Sequence, residues 1–538
     1  GTITKGQLEA VTFVDGTGAQ KKSFAEIAPK LQQLINLSIR YNTSAVLSDG
    51  IPVGGNATER AIFGFVGKEN CEEAVEVVAT LPFNSKNKYS LAAVKGTHTC
   101  VLVKGAPENI LKRCSSYYDE AGAKAPLQVQ MVNAELDALA ERAIRVLALA
   151  TYEGDLGDGT LPESGMTLVG AIGIRDEVRP ESIEAIAAVH NAGVQVVMIT
   201  GDRQETAIAR EAGLLTSDSD LVLTSSELGA LTDEDLKEKL PALRVVARAL
   251  PSDKSRLVRL AQEKNLVVGM TGDGVNDSPA LKRADVGFAM GGGTEVAKES
   301  SEIVILDDNF HSIARAILYG RTIFTSIRKF IVFQLTINVS AVCISFVMPL
   351  LGMENPLSIT QFLWINLIMD TLAALAFGGE PALSRYMDEP PKRRDENIIS
   401  DKMASAISVG SLWTFVLSLF FLLTPFVHEH FRAALDNHYL LTGYFTFFVF
   451  IAVFNAFNAR TDRMNLFDNI GGNKGFLNIM ALIVVVQLIM TYLGGDVLRC
   501  YGLTGAEWIF LLALAVTIIP VDLMRKLVTE GGIKSWKS

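Results

Sequence analysis

Cysteine is scarce in this chain, and basic residues are outnumbered by acidic ones. Its 538 residues include five cysteines, none of which shows the paired spacing of metal ligands. We therefore expect reduced, unpaired thiols and a cytosolic location for the water-soluble part of the chain. Asp and Glu number 59 against 49 Lys and Arg, which gives a formal net charge of −10. Without a basic stripe, this composition argues against nucleic-acid binding.

An initiator methionine, a signal peptide and a transit pattern are all missing from the opening stretch GTITKGQ. We therefore expect residue 1 to be a cut inside a longer protein. Repeats and low-complexity tracts are missing as well. The length exceeds that of one ordinary domain and predicts three or four.

The two parts of the chain differ in character. Up to about residue 320, short β-branched runs such as GVQVVMIT (193–200) and NLVVGMTGD (265–273) alternate with amphipathic helical stretches. This alternation is typical of buried parallel strands and predicts a doubly wound α/β domain. The strand-like runs between residues 10 and 160 predict a separate α+β domain inserted into that unit.

Six apolar stretches follow, each long enough to cross the roughly 30 Å hydrocarbon core of a bilayer. Lys and Arg are concentrated in the loop after the second stretch, in the loop at 459–474 and in the C-terminal tail, whereas the other loops hold only Arg432 and Arg499. The positive-inside rule then predicts that the soluble part, the basic loops and the C-terminus are cytoplasmic. The stretches lie near 328–351, 359–378, 404–427, 440–458, 475–494 and 505–526.

Two loops that follow predicted strands carry the pattern of a phosphate and metal site. MTGDGVNDSPALK places Asp273 and Asp277 beyond a strand end, where two carboxylates suit Mg²⁺. In ITGDRQETA, Thr200 and the amide of Gly201 can donate to phosphate oxygens. Lys254, in ALPSDKSRL, would add a positive charge. The alternative is that these loops are ordinary Gly-Asp turns without a function. That alternative could account for one such loop, but it accounts poorly for two loops and a lysine together.

The second apolar stretch, FLWINLIMDTLAALAF, contains Asn366 and Asp370. An ionisable residue inside a bilayer is costly and indicates an ion pathway. The spacing of four places both side chains on one helix face. Together with Asn338 on the preceding stretch, they form a plausible site for a hard cation. The alternative for Asn338 is a structural hydrogen bond between helices.

In their order along the chain, GTIT, KGAPE, ITGD and TGDGVNDSPAL resemble the signatures of P-type cation-transporting ATPases. The opening would be the end of the motif D-K-T-G-T-[LI]-T, whose Asp is phosphorylated by ATP. The resemblance implies that this Asp, an actuator domain and four membrane helices precede residue 1 and are partners of this chain. It also implies a haloacid-dehalogenase-like sheet with an inserted nucleotide-binding domain. The expected limits are 1–8 and 161–320 for the phosphorylation domain, 9–160 for the nucleotide-binding domain and 321–538 for six transmembrane helices.

The resemblance implies roles in phosphoryl transfer from ATP for the two strand-end loops. Thr2 would lie beside the nucleophile, Asp273 and Asp277 would hold Mg²⁺, and Lys254 would neutralise the transferred group. These roles agree with the chemistry, because phosphoryl transfer depends mostly on positioning and charge stabilisation. The full implied catalytic set is Thr2, Thr200, Gly201, Asp202, Lys254, Asn276 and Asp277.

The inserted domain would bind the nucleotide. Phe83 would stack on the purine and Glu59 would meet its amino group, while basic side chains would contact the ribose and phosphates. The alternatives are a core Phe and solvated surface lysines. RDEVRP resembles the hinge motif D-P-P-R without its two prolines. The implied nucleotide-side set is Glu59, Phe83, Lys88, Lys104, Gly105, Arg145, Asp176 and Arg179.

FQLTINVSAV and WINLIMDT look most like Ca²⁺ pumps of the plasma-membrane type. In two-calcium pumps, acidic residues would stand at Ala341 and near Ala452, so we expect one Ca²⁺ per ATP. H⁺ counter-transport through Asp370 is a further expectation. The implied Ca²⁺ ligands are Asn338, Asn366 and Asp370, and the implied location is the plasma membrane.

Three alternatives remain at this point. A secretory-pathway Ca²⁺/Mn²⁺ pump shares the N-x-x-x-D pattern. A membrane-anchored phosphohydrolase of the haloacid-dehalogenase type would need neither the intramembrane Asn and Asp nor an adenine pocket. A non-catalytic regulatory protein would not need the two aspartates and the lysine together. The histidines of the loop 428–438 are expected to be solvated rather than metal ligands; they are His428, His430 and His438.

Overall fold

The computed structural model describes most of the chain, in two compact units. The first unit comprises Gly1–Ala314 with Pro390–Arg394, and the second comprises Arg315–Glu389 with Asp395–Ser538. The predicted domain limits at residues 8, 160 and 320 remain predictions. The described residues are 2–48, 51–66, 75–84, 87–142, 144–157, 159–200 and 205–529.

Every strand of the described chain lies in the first unit. In chain order the strands are β1 (Thr4–Val14), β2 (Gln20–Lys21), β3 (Ala45–Ser48), β4 (Ile51–Gly54), β5 (Val75–Asn84), β6 (Tyr89–Gly96), β7 (Cys100–Gly105), β8 (Cys114–Tyr118), β9 (Lys124–Pro126), β10 (Arg145–Tyr152), β11 (Met166–Val178), β12 (Met198–Ile199), β13 (Leu221–Thr224), β14 (Leu243–Ala247), β15 (Gly269–Gly272), β16 (Val286–Met290) and β17 (Ile303–Ile305).

The α-helices are distributed over both units. They are α1 (Pro29–Tyr41), α2 (Ala57–Val66), α3 (Pro107–Ile110), α4 (Val129–Glu141), α5 (Pro180–Asn191), α6 (Glu205–Glu211), α7 (Ser225–Ala230), α8 (Asp233–Lys239), α9 (Pro251–Glu263), α10 (Ser278–Arg283), α11 (Glu295–Glu299), α12 (Phe310–Leu350), α13 (Ile359–Leu363), α14 (Asp370–Gly378), α15 (Asp401–Leu423), α16 (Pro425–His428), α17 (His438–Arg460), α18 (Lys474–Leu493), α19 (Gly495–Leu498), α20 (Gly505–Ala515) and α21 (Ile518–Thr529).

The largest sheet has nine strands, seven of them in the order β2-β1-β11-β10-β7-β6-β5, with β8 pairing with β11 and β9. Its main-path pairs are antiparallel, and the two faces carry separate apolar cores. Helix α1 packs on one face through Leu31, Leu34 and Ile35 at helical spacing. It begins at Pro29, whose fixed φ suits the first helical position. This antiparallel sheet with helices matches the predicted α+β character.

Two short parallel sheets follow along the chain, in the orders β12-β14-β13 and β15-β16-β17. Parallel strands require crossover connections, which α6, α7, α8, α10 and α11 supply, whereas α9 links the two sheets along the chain. The parallel character predicted from the β-branched runs is confirmed. The strands are shorter than the apolar runs that predicted them: β12 has two residues and β15 has four.

The second unit is helical. Within the described residues, six helical segments are long and apolar enough to cross a membrane. This agrees with the six predicted stretches, although α12 begins well before the predicted residue 328 and α15 ends at Leu423, shortly before Pro425. The segments are Phe310–Leu350, Ile359–Gly378, Asp401–Leu423, His438–Arg460, Lys474–Leu493 and Gly505–Thr529.

Helix α17 is the central helix of this unit. In its most apolar window 83% of the residues are buried, against 28–39% in the other five segments. Hydroxyl side chains inside the bundle donate hydrogen bonds to backbone carbonyls of the preceding turn. Thr446, for example, donates to the carbonyl of Thr442. Close helix packing also needs small residues. A Cβ at Gly410 of α15 would lie 2.8 Å from the Cγ2 of Thr336 in α12.

Candidate functional site

The loop after β15 holds two aspartates in different environments. Asp273 is exposed, whereas Asp277 is buried at the end of a short 3-10 turn, Val275–Asp277. One carboxylate oxygen of Asp277 accepts hydrogen bonds from the amides of Asp273 and Gly274, at 3.2 and 3.3 Å. The other lies 2.5 Å from Nζ of Lys254. The predicted trio therefore meets at the carboxyl end of a parallel strand.

The geometry of this loop depends on Gly272. A Cβ at this position would lie 2.5 Å from the Cβ of Asp277, so a larger residue would displace the buried carboxylate. Lys254 reaches the loop from the first turn of α9, whose N-terminus is closed by Asp253 accepting from the amide of Leu250. The glycine and the helix start together fix the distance between lysine and aspartate.

This arrangement can serve a phosphoryl group and a divalent cation. Asp273 faces solvent with its carboxylate, and the Lys254 side chain retains more exposure than the Asp277 side chain it contacts. Among the described residues, no cluster of three or more His, Cys, Asp or Glu side chains could hold a metal ion. A pair of carboxylates still fits Mg²⁺, which commonly binds one or two carboxylates, waters and substrate phosphate.

The other predicted catalytic residues have mixed outcomes. Asn276 is exposed in the same turn as Asp277. Thr200 follows β12, and its backbone bonds to Val246 and Ala249 on either side of the β14 end. The carbonyl of Thr2 accepts from the amide of Phe310. Gly201 and Asp202 lie outside the described residues.

Asp176 and Arg179, which the sequence placed in a predicted hinge motif, contact the first strand. Asp176 accepts from the Thr4 hydroxyl at 2.6 Å and from the Gly6 amide at 2.9 Å. Arg179 donates from Nε to the carbonyl of Thr4 at 2.8 Å. Both side chains therefore fasten β1 to the end of β11, and neither lines the cleft described next.

Three predicted nucleotide residues share a cleft of about 660 Å³. Phe83 is 52% exposed at one wall, and Lys88 and Arg145 line the same space. Lys88 pairs with the exposed Glu108 at 3.3 Å. An exposed aromatic ring with two cations nearby suits a flat, anionic ligand. The cleft is completed by Ala106, Pro107, Glu108, Asn133, Leu136, Asp137, Ala140, Ile144, Val146 and Leu147.

Glu59 and Lys104 lie elsewhere, as a buried ion pair. Their charged atoms are 3.0 Å apart, and Lys104 also donates to the carbonyl of Asn42 at 2.5 Å. Burial opposes ionisation of Glu59, but Lys104 and the Ser44 hydroxyl outweigh it and hold the pKa of Glu59 below its usual value. Burial lowers the pKa of Lys104, although Glu59 opposes the shift.

Gly105 stands beside Lys104 on β7, where the backbone of β6 passes close by. A Cβ there would lie 2.6 Å from the carbonyl oxygen of Lys88. Gly105 therefore serves strand packing. Neither it nor the buried Glu59–Lys104 pair lines the cleft of Phe83.

The membrane unit contains a buried carboxylate with few partners. Asp370 is 4% exposed, and one of its oxygens accepts from Nε2 of Gln334 at 3.4 Å. The other oxygen is buried without a hydrogen-bond partner. The side-chain oxygen of Asn338, on α12, is also buried and unpartnered. Unsatisfied buried oxygens are uncommon in native structures, and carboxylate and amide oxygens are of the type that ligates hard cations.

Gln334 was not predicted as a site residue. It lies four residues before Asn338, so the two side chains project from one face of α12. The i, i+4 spacing in FQLTIN could have identified Gln334 as a site residue. It does so only once the structure shows that Asp370 faces α12.

Asn366 differs from the expectation drawn from its spacing. It is exposed, whereas Asp370 is buried. Between them the helix is not α-helical: Trp364–Met369 forms a π-helix between α13 and α14. A π turn changes the number of residues per turn, so the face assignment from α-helical spacing does not carry over unchanged. The ligand role of Asn366 stays a prediction.

Three family models match separate parts of the chain. Residues 30–181 match the P-type ATPase cytoplasmic domain N, and residues 255–317 match the haloacid dehalogenase-like hydrolases. Residues 354–528 match the C-terminus of the cation transporting ATPases. The chain belongs to the P-type ATPase family. The resemblance predicted from the motifs is confirmed, and so is a haloacid-dehalogenase-like α/β region followed by membrane helices.

Relatives of this P-type ATPase chain include calcium-transporting ATPases. It is 36% identical over 569 residues to calcium-transporting ATPase 8, plasma membrane-type, of Arabidopsis thaliana, covering 98% of the chain and 52% of the relative. It is 35% identical over 581 residues to calcium-transporting ATPase PAT1 of Dictyostelium discoideum, with the same coverage. The chain thus spans about half the length of these relatives.

Proposed function

We propose that the protein containing this chain is an ATP-driven Ca²⁺ export pump that forms an aspartyl-phosphate intermediate. The observation that carries the proposal is the buried Asp370 carboxylate, which has an unpartnered oxygen in a membrane unit that also buries the unpartnered oxygen of Asn338. Relatives named as calcium-transporting ATPases of the plasma-membrane type support the choice of ion.

The ligand chemistry supports a hard cation. Carboxylate and amide oxygens are the ligands that Ca²⁺ prefers, and it takes six to eight of them. Asp370 and Asn338 supply two such groups, and Gln334 already contacts Asp370. Asn366 is proposed as a third ligand from this chain. The remaining ligands would come from segments outside it.

In the soluble unit we propose that ATP and Mg²⁺ serve phosphoryl transfer. Asp273 and Asp277 would hold Mg²⁺, which neutralises charge on the transferred phosphoryl group. Lys254 would contact that group while keeping Asp277 in place, with Thr2, Thr200 and Asn276 positioned around it. Phe83, Lys88 and Arg145 would bind the adenine and phosphates in their cleft. The phosphorylated Asp and the actuator domain would belong to the preceding part of the protein.

We base the proposed stoichiometry on two alanines. Ala341 and Ala452 are both buried in the membrane unit, and a methyl group cannot ligate a cation. Since two-calcium pumps would carry acids there, we propose one Ca²⁺ per ATP, with H⁺ returning through Asp370. The soluble unit would face the cytoplasm, and the protein would lie in the plasma membrane. A Ca²⁺/Mn²⁺ pump is the second candidate, since it shares the Asn366–Asp370 pattern.

The test is ATP-driven uptake of radioactive Ca²⁺ into vesicles that contain the full-length protein. We expect uptake at micromolar Ca²⁺ with about one ion per ATP, and loss of uptake in Asp370→Asn. The matched control is Asp462→Asn, the same substitution at an exposed aspartate in the loop after α17. Competition by equimolar Mn²⁺ would favour the second candidate. Uptake that survives Asp370→Asn would show that the carboxylate is structural and contradict the site.

A further inference from the structure

A second buried carboxylate follows Asp370 in the same segment. Glu380 lies two residues beyond the end of α14 and is 9% exposed. One of its oxygens accepts from Nε of Arg460 at 2.9 Å and from Nδ2 of Asn473 at 2.8 Å. The other accepts from Nζ of Lys329 at 3.2 Å. Two cations and an amide thus surround one carboxylate.

The three donors come from three other parts of the bundle. Lys329 belongs to α12, Arg460 is the last residue of α17, and Asn473 caps the N-terminus of α18 by accepting from the amide of Phe476. Glu380 therefore joins the segment of Asp370 to three helices at one point.

The remaining groups of this cluster are occupied as well. Arg460 donates its other nitrogens to the carbonyls of Leu466 and Asp468, and Asn473 donates to the carbonyl of Ala376 at 3.0 Å. Because every charged group of the cluster has a partner, we expect the cluster to hold the helices together rather than to bind a ligand.

The opposite end of the same segment is also fastened. In α13, Thr360 donates to the carbonyl of Val497 at 2.9 Å and Gln361 donates to that of Leu498 at 2.8 Å. The π-helix Trp364–Met369 lies between these contacts and Asp370.

A π turn contains one residue more than the α turn it replaces. Converting it to an α-helix would shift one end of the segment by about 1.5 Å and rotate it by about 100°. With the contacts of α13 in place, the shift would fall on α14 and would turn Asp370 away from Gln334. An anchor at the C-terminal end of α14 would oppose this conversion, because the shift would break the contacts of Glu380.

We propose that Glu380 is the positioning residue of the cation site. By holding the end of α14 on α12, α17 and α18, it maintains the π turn and keeps Asp370 directed at Gln334, on the helix that also carries Asn338. The Lys329 contact is central, because Lys329 belongs to the helix that carries both of these side chains. The inference rests on the proposed function.

The test is equilibrium binding of radioactive Ca²⁺ to the purified full-length protein without ATP. A merely structural role lowers the number of binding sites per mole of protein, whereas a positioning role raises the Kd of the sites that remain. For Glu380→Gln we expect a Kd raised about tenfold, as is typical when a partner that orients metal ligands is lost. The matched control is Glu507→Gln, another buried carboxylate of this unit, which pairs with Arg432 in a loop away from α14. Its Kd should stay within about twofold of the wild-type value.

A second variant covers the case in which Glu380→Gln does not fold. The double variant Glu380→Gln, Lys329→Met removes one of the two cations left without a partner, and it should restore folding while the Kd stays raised. A wild-type Kd in either folded variant overturns the inference and leaves the pump proposal intact. A wild-type protein that binds no Ca²⁺ overturns the pump proposal itself, and the inference with it.

Discussion

Asp370 and Glu380 lie ten residues apart on one segment of the membrane unit, and both are buried. Asp370 has a single long hydrogen bond from an uncharged amide and one oxygen without a partner. Glu380 accepts hydrogen bonds from an arginine, a lysine and an asparagine. Burial is common to both carboxylates, so it does not distinguish a ligand from a structural group. The degree to which their hydrogen bonds are satisfied does distinguish them.

The soluble unit repeats the contrast. Glu59 and Lys104 are enclosed and mutually bonded, and Lys104 has a further carbonyl partner. Asp277 and Lys254 form a shorter pair, at 2.5 Å against 3.0 Å, but the exposed carboxylate of Asp273 stands beside it. In each unit the enclosed and fully bonded carboxylate stabilises the fold. The candidate for chemistry is the carboxylate that stays open, through an unpartnered oxygen at Asp370 and through solvent exposure at Asp273.

The largest expected effect tests this contrast directly in the membrane unit. Glu380→Ala leaves Lys329 and Arg460 buried without a counter-ion, and we expect it to lower the free energy of unfolding by about 3–5 kcal/mol. Asp370→Ala removes one weak hydrogen bond and should cost less than about 1 kcal/mol. Thermal unfolding of the detergent-purified protein in EGTA measures both, since bound Ca²⁺ would otherwise stabilise one variant. Equal losses of stability would refute the distinction.

The next effect concerns the soluble pair that is open to solvent. We expect Lys254→Ala to slow phosphoenzyme formation from ATP about a hundredfold, because it removes a charge that stabilises the transferred phosphoryl group. Rapid-quench measurement of radioactive phosphate incorporation checks this. Lys282→Ala is the control, since Lys282 is an exposed lysine on α10, just after the same loop. If both variants phosphorylate at the wild-type rate, Lys254 is a structural partner of Asp277 and the contrast fails there.

The smallest effect sharpens the comparison at the cleft. Phe83→Ala should weaken ATP binding about tenfold, the amount that base stacking on an aromatic ring usually contributes. Val78→Ala provides the control, because Val78 is 53% exposed on the same strand and does not line the cleft. Binding of a fluorescent ATP analogue to the full-length protein reports both. A change of the same size in the two variants would point to a general disturbance of β5.

Sequence reasoning succeeded where the motif itself fixes the geometry. The Gly272–Asp277 loop is such a case, because the glycine spacing requires a tight turn after a parallel strand. The six membrane segments were also predictable, since length and hydrophobicity decide them. Phe83, Lys88 and Arg145, three members of the predicted nucleotide set, line one cleft, and their role in nucleotide binding stays a prediction.

Spacing could not reveal which polar atoms would find partners. Glu59 and Lys104 were assigned to the nucleotide, but they lie 45 positions apart in the sequence, and the fold brings them together as a buried pair. Gln334 and Glu380 were overlooked for the same reason, because their contacts are made by residues distant in sequence. The π turn before Asp370 was equally hidden, since nothing in WINLIMDT marks an extra residue in the turn.

The residues of the cluster around Glu380 are also synthesised in a particular order. A ribosome makes Lys329 first, Glu380 51 residues later and Arg460 another 80 residues after that. When the acidic side chain is synthesised, a cation for it already exists, and the arginine appears only once its acceptor is in place. No stage of synthesis therefore has to leave the carboxylate alone in an apolar surrounding, which is where the cost of an unpaired charge would be greatest. The position of Glu380 between its two cations along the chain thus favours the nascent membrane unit as well as the finished one.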